Sequence, residues 1–157
     1  MHDATPETTD TPPQPVFVAA LSLNATVPVA DEDATVAVAA KKMLERQVGA
    51  VVVMNGSKLA GIVTERDFNF RLVATGRDPA TTTLAEIMTP NPKTFGPDTA
   101  VMEALEIMQK RAYRHIPIEQ DGQIIGIVSL RDIQPVVRSY RLIDGVVTEE
   151  PVRLQPR

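Results

Sequence analysis

"GIVTERD" occupies residues 61–67 and "GIVSLRD" occupies residues 126–132. Five of the seven positions are identical, and a sixth exchanges one hydroxyl for another. A phrase repeated at this spacing in a chain of 157 residues points to an internal duplication. Laying 33–69 over 98–134 without a gap, at an offset of 65, gives ten identities. They are Asp33/Asp98, Val36/Val101, Ala39/Ala104, Met43/Met108, Arg46/Arg111, Gly61/Gly126, Ile62/Ile127, Val63/Val128, Arg66/Arg131 and Asp67/Asp132. Several other positions exchange one aliphatic residue for another. The chain reads as two copies of one unit.

Working outward, each copy has the same order of elements. Val101, Ala104, Leu105, Met108 and Ala112 recur at helical spacing, as do Val36, Ala39, Ala40 and Met43. Asp98 and Thr99 are suitable N-caps for the second of these helices, and Asp33 stands ahead of the first. Strands follow at "AVVVM" (50–54) and "HIPIE" (115–119), then turns at "NG" (55–56) and "DG" (121–122), where glycine tolerates positive φ. The next strands are "LAGIV" (59–63) and "IIGIV" (124–128), and second helices start near Arg66 and Arg131. A short strand is expected ahead of each unit, near 26–30 and 92–96, and "TLAEIM" at 83–88 reads as a short helix. The resulting organisation is a proline-rich flexible tail at 1–15, unit 1 at 16–76, a connector at 77–91, unit 2 at 92–140 and an extension at 141–157. The extension matches neither copy and is open between an added strand and an ordered tail.

Composition narrows the function classes. Hydrophobic residues make up 43% and aromatics 4%, with no tryptophan, so the core must be aliphatic. A net charge of -4 argues against DNA, RNA or an anionic membrane as the main partner, since each rewards a basic face. Having no cysteine excludes disulfides, thiolate zinc sites and a cysteine nucleophile. "VFVAAL" at 16–21 is far short of the roughly 20 apolar residues that span a bilayer, and the first residues carry acids where a signal peptide is basic. The expectation is a soluble, cytoplasmic protein. His2 falls in the tail, so no second histidine stands ready to complete a metal site or a catalytic pair with His115, and no paired carboxylates or activated nucleophile are visible.

Two units of this order, each closing with G-I-V-[S/T]-x-x-D, resemble a tandem pair of cystathionine β-synthase (CBS) domains, the Bateman module. "EIMTPNP" (86–92), "PDTAVMEALEIM" (97–108) and "RHIPI" (114–118) carry the same resemblance, which covers about 26–140. It implies an α+β fold of two β-α-β-β-α units packed about a pseudo-twofold axis through their small sheets. It further implies two clefts between the units that hold adenosine-containing ligands: AMP, ADP, ATP, NAD or S-adenosylmethionine. Pairing of modules into a disk implies a homodimer. The first copy departs from the pattern at "LSLNATVPV" (21–29), and it has Gly49 and Ala50 where the second has Arg114 and His115.

The repeated phrase has chemistry suited to such a ligand. One carboxylate can accept from both vicinal hydroxyls of a ribose, which suits Asp67 and Asp132. Thr64 and Ser129 stand three residues earlier, where a hydroxyl can contact phosphate beside the free amides of a helix start. Ser/Thr-x-x-Asp is equally a capping pattern, and the two roles are compatible. Arg114 and His115 are candidates for phosphate contact, against a solvated arginine and a core-edge histidine. Arg66 and Arg131 either touch phosphate or pair with acids on an exposed face. By the family's crossed arrangement, Asn24, Val27 and Val29 face the Ser129/Asp132 cleft, and Thr89, Lys93 and Thr94 face the Thr64/Asp67 cleft. The methionines at 43, 88, 102 and 108 read as core or interface, with Met102 open to exposure.

These features point to a regulatory, non-enzymatic module that binds an adenine nucleotide and signals by conformational or oligomeric change to a separate effector protein. The cleft at Asp132, with its cationic neighbours, is the stronger candidate. The alternative is a structural dimerisation or interaction module with empty clefts.

Overall fold

The computed structural model describes residues 16–22, 27–143 and 146–149. The tail expected at 1–15 lies outside the described residues. The duplication is plainest in two hairpins. Strand β2 (Ala50–Asn55) pairs antiparallel with β3 (Lys58–Thr64), and β5 (His115–Gln120) with β6 (Gln123–Ser129). To make the numbering continuous, β1 is Val29–Asp31, parallel to β2, and β4 is Thr89–Pro90, antiparallel to β3. Ala50 stands opposite Thr64, and His115 opposite Ser129. Both hairpins slip register at the same place, between Val53 and Met54 and between Ile118 and Glu119. Each slip is a bulge that leaves one residue, Ala60 or Ile125, without an opposite number. The first turn sits one residue later than the "NG" reading: Asn55 pairs with Lys58, so Gly56 and Ser57 make the turn, matching Asp121 and Gly122. Positive φ falls on Gly56 (58°), Asp121 (51°) and Gly122 (77°), residues that tolerate it.

The first helix of each unit is α2 (Val36–Arg46) or α5 (Val101–Arg111). Both bury the expected stripe: Val36, Ala39 and Met43, or Val101, Ala104 and Met108. Both end in a left-handed residue, Gln47 (φ 53°) or Ala112 (φ 55°), whose amide closes back on the last turn. Their starts differ from the sequence expectation. The N-cap of α5 is Ala100, not Asp98 or Thr99, and no side chain caps it. Backbone from elsewhere does that work: the Val101 N–H donates to Val16 C=O (2.8 Å) and the Val36 N–H to Thr82 C=O (2.9 Å).

Those bonds reveal a crossing. The leading segment, with the short helix α1 (Ala19–Ser22), packs on the second unit, and Val18 is wholly buried with Phe95, Val101, Met108, Ile116 and Ile133. The connector, with α4 (Leu84–Ile87), packs on the first unit, and Leu84 and Ile87 are buried with Val36, Met43, Val51 and Val63. Isolated bridges Phe17–Ala100 and Thr35–Thr83 repeat the relation at the helix starts. The four-stranded sheet therefore runs β1-β2-β3-β4, its last strand supplied by the connector. The other face of the first sheet, with Ala50, Val52 and Ile62, is also buried although outside its helix-facing cluster. The molecule is the α+β pair expected, except that the strand expected at 92–96 ahead of the second unit is reduced to a single bridge, Phe95 to Ile118, because the strand-forming residues just before it, Thr89–Pro90, pair with β3 of the first unit.

The second helices are irregular at matching places. Helix α3 (Glu65–Asp67) widens into a π-helical turn at Phe68–Val73, with Ala74 N–H reaching Asn69 C=O. Helix α6 (Leu130–Ser139) carries Pro135, the counterpart of Phe70 by offset. The π turn rotates the chain so that Leu72 is buried while Arg71 is exposed; in α6 it is Val136, the counterpart of Arg71, that is buried. Part of the C-terminal extension forms a hairpin, β7 (Tyr140–Ile143) with β8 (Val146–Glu149), and the rest lies outside the described residues. No described helix is long and apolar enough to cross a membrane.

Candidate functional site

Each repeated phrase ends a strand and starts a helix, which sets its hydroxyl and carboxylate side by side. Asp67 Oδ2 accepts from the Thr64 N–H (2.8 Å) and the Thr64 hydroxyl (2.9 Å). Asp132 Oδ2 accepts from the Ser129 N–H (2.8 Å) and the Ser129 hydroxyl (2.6 Å), and Ser129 Oγ also accepts from the Asp132 N–H (3.3 Å). The capping pattern is therefore real in both copies.

The two carboxylates differ in what lies on their other side. Asp67 is 8% exposed, and Arg71 Nη1 is 3.4 Å from its Oδ1. The same nitrogen donates to Ile87 C=O and Met88 C=O (both 2.8 Å), and it lies 3.4 Å from Thr89 Oγ1. Thr89 pairs with Ile62 across β3 and β4, so Thr64, Asp67 and Thr89 do assemble, under Arg71. Gly61 makes this possible: a Cβ there would fall 2.5 Å from Met88 Sδ and 2.9 Å from Thr89 O. Asp132, by contrast, is exposed, and among the described residues no ion pair to it is found.

His115 lies beside Ser129 in the β5–β6 register, half-buried, with its Nδ1 buried and without a hydrogen-bond partner among the described residues. Burial holds its pKa below the ordinary imidazole value; Asp132 and Glu65 pull it upward, and Arg114 and Arg131 push it down. Glu65 belongs to the first unit and Asp132 to the second, so charges of both halves act on this ring. The Gly49/Arg114 exchange also has a local reason. The Glu65 carboxyl folds over Gly49, whose Cβ would lie 3.2 Å away, while the second copy has Leu130 in place of Glu65 and room for Arg114. Matching backbone bonds, Glu65 N–H to Gly49 C=O and Leu130 N–H to Arg114 C=O (both 3.1 Å), keep the two positions equivalent.

The remaining candidates are more scattered. Arg114 and Arg131 are exposed, close enough to His115 for their charges to act on it. Arg66 lies 5.5 Å above the exposed Phe70 ring, a cation–π contact on an outer face. Lys93 is exposed and Thr94 half-buried, on the stretch between β4 and Phe95, which bridges to Ile118 of β5. Val29 pairs with Val52, and Val27, Pro28 and Val29 line a surface pocket of about 240 Å³ with Lys42, Glu45 and Arg46 of α2. Asn24 lies outside the described residues. Met43 and Met108 are core, Met88 packs on the first core, and Met102 is 51% exposed. Arg71 is a functional candidate that lies outside the repeated motif. Its signal was available, since Asp67 and Arg71 are four apart on one helix while Asp132 is followed at that distance by Val136. Among the described residues no cluster of metal-ligating side chains is found.

The CBS domain family model matches twice, at residues 18–73 and 84–139. The chain is 39% identical over 115 residues to the mitochondrial CBS domain-containing protein CBSX3 of Arabidopsis thaliana, covering 69% of this chain and 56% of that protein. It is 36% identical over 99 residues to CBSCBSPB5 of the same plant, covering 62% and 18%. It thus spans under a fifth to just over half of these curated relatives. Among solved structures, a putative signal-transduction protein with CBS domains from Burkholderia ambifaria MC40-6 superposes with a TM-score of 0.73 at 32% identity, covering 78% of this chain and 93% of that one. A hexameric CBS-CP12 protein from bloom-forming cyanobacteria gives 0.72 at 28%, covering 78% and 72%.

Proposed function

The chain belongs to the CBS-domain family, a module of the regulatory or interaction kind, and from that premise we propose that it senses adenosine-containing ligands through the Ser129/Asp132 cleft. One observation carries the choice of cleft: the Asp132 carboxylate is exposed and free of ion pairs among the described residues, whereas Asp67 is buried under Arg71. An exposed carboxylate with one oxygen already fixed by Ser129 is oriented to accept from the two ribose hydroxyls. Arg114, His115 and Arg131 supply nearby donors for phosphate. AMP, ADP and ATP fit this donor set; NAD and S-adenosylmethionine share the adenosine portion. Binding beside His115, a ring on which Glu65 and Asp132 of the two halves both act, would bias their relative placement, and a homodimer or a separate effector protein would read that bias. The hexameric neighbour supports assembly as part of the output.

Thermal melting with AMP, ATP, NAD and S-adenosylmethionine tests the reading. A ligand at 100 times its Kd adds about 2.7 kcal/mol to stability. At least one should raise the Tm, and Asp132→Ala should abolish that rise. A Tm unmoved by all four overturns the proposal. It would favour the second reading, an interaction module with empty clefts, for which the full engagement of Asp67 in the fold is the supporting observation.

A further inference from the structure

Arg71 has no counterpart in the second copy, and its position is unusual for a helix-surface arginine. Two short hydrogen bonds fasten Nη1 to the last carbonyls around α4, Ile87 C=O and Met88 C=O, both at 2.8 Å. Those carbonyls are the unsatisfied end of a short helix, so the guanidinium has a firm seat there. From that seat it contacts Asp67 Oδ1 at 3.4 Å, on the side of the carboxylate away from Thr64. Both oxygens of Asp67 are thereby engaged, and the residue is 8% exposed. The π-helical turn at Phe68–Val73 is what brings Arg71 to this face; in α6, without that turn, Val136 points into the core and Asp132 stays open.

Resting on the ligand-binding reading above, we propose that Arg71 is an occupancy-determining residue: it straps the connector over Asp67 and closes the first cleft to a ribose, so that each chain binds one ligand instead of two. A sugar diol needs the carboxylate edge that Arg71 covers, and it would have to break the hold on Ile87 and Met88 to reach it. The copy that lacks the arginine remains the binding one. The inequality of the two clefts thus follows from one helical irregularity and one side chain, in addition to the cationic residues at 114 and 115.

Calorimetric titration of the full chain tests this, using whichever of AMP, ATP, NAD or S-adenosylmethionine raises the Tm. The wild type should bind one ligand per chain, and Asp132→Ala should remove it. Arg71→Ala and Arg71→Gln should each bind two, the added site being lost again in the Asp67→Ala double variants. In the Asp132→Ala background, Arg71→Gln should restore a single site. Arg71 is exposed, and two replacements of different size guard against a local failure to fold, checked by melting. Two ligands per wild-type chain, with Arg71 in place, would overturn the proposal without any variant. So would one ligand per chain in both folded Arg71 variants, with the Asp132 site intact; that outcome leaves the ligand-binding reading standing. Failure of every ligand to bind the wild type removes that reading and this one together.

Discussion

Removing the Asp67 carboxylate takes away the acceptor of two hydrogen bonds and the partner of Arg71 at a nearly buried position. Asp67→Ala is expected to cost about 1–3 kcal/mol in urea unfolding, because the Thr64 donors lose their cap inside the fold. Asp132→Ala removes the same two bonds at an exposed position, where water replaces them, and should cost under about 1 kcal/mol. The stability order is thus opposite to the order expected for ligand binding. His115 gives a pH test. Its pKa is held below the ordinary imidazole value, chiefly by burial, so the unfolded chain takes up the proton first as pH falls. Its contribution is whole above the unfolded pKa of about 6.5 and is lost below it as pH drops toward the folded value. Melting between about pH 7.5 and 5 should show a steeper fall in Tm for the wild type than for His115→Gln. The groups facing this ring are Asp132, Glu65, Arg114 and Arg131, so Glu65→Gln should steepen the fall, by removing a charge that favours the imidazolium. At this scale the sequence made the hydroxyl–carboxylate pairs legible, because local capping needs only neighbours three apart. It did not reveal that Arg71 reaches Ile87 and Met88, since that contact depends on where the connector lands.

Gly61 shows how an element is decided by one missing atom. Met88 Sδ would lie 2.5 Å and the Thr89 carbonyl 2.9 Å from a Cβ at this position. The thioether can swing away, but the carbonyl belongs to the β3–β4 pairing and cannot move without breaking it. Gly61→Ala should therefore cost about 1–3 kcal/mol by urea unfolding, and hydrogen exchange should quicken at the Asn91 amide, which donates to Ala60 C=O. The first helices are readable from periodicity because each buries one stripe, and β2 from an unbroken apolar run that is buried on both faces. The helix starts are not: Asp98 suits a cap by composition, yet the Val16 carbonyl arrives from far along the chain and makes a side-chain cap redundant. The turn closes at Gly56–Ser57, one residue past the Asn-Gly dipeptide, for a related reason, since the strand register and its bulge, rather than the dipeptide, fix where the hairpin closes.

For the whole molecule, the duplication is carried through in the matching hairpins and first helices, while the outer surface breaks the symmetry. Phe70 is 64% and Val73 70% exposed on the first unit, and their counterparts by offset are Pro135 and Arg138. If copies associate, this apolar face with its stacked Arg66 is the expected contact, and Phe70→Ser should shift light-scattering mass toward the monomer by raising the dimer Kd roughly 10-fold or more. An unchanged mass would place the contact elsewhere. The crossing of the two leading segments has a different consequence, for the way the chain can be divided. Every residue from 74 to 81 is exposed, so a protease could open the chain there. Neither product would be a self-sufficient half: the N-terminal piece would carry Val18, which fills the other's interior, and the C-terminal piece would carry Leu84 and Ile87, which fill the first's. The duplicated units are therefore complementary parts that must recombine to be whole, and the boundary between the two sequence repeats is not a boundary between two bodies.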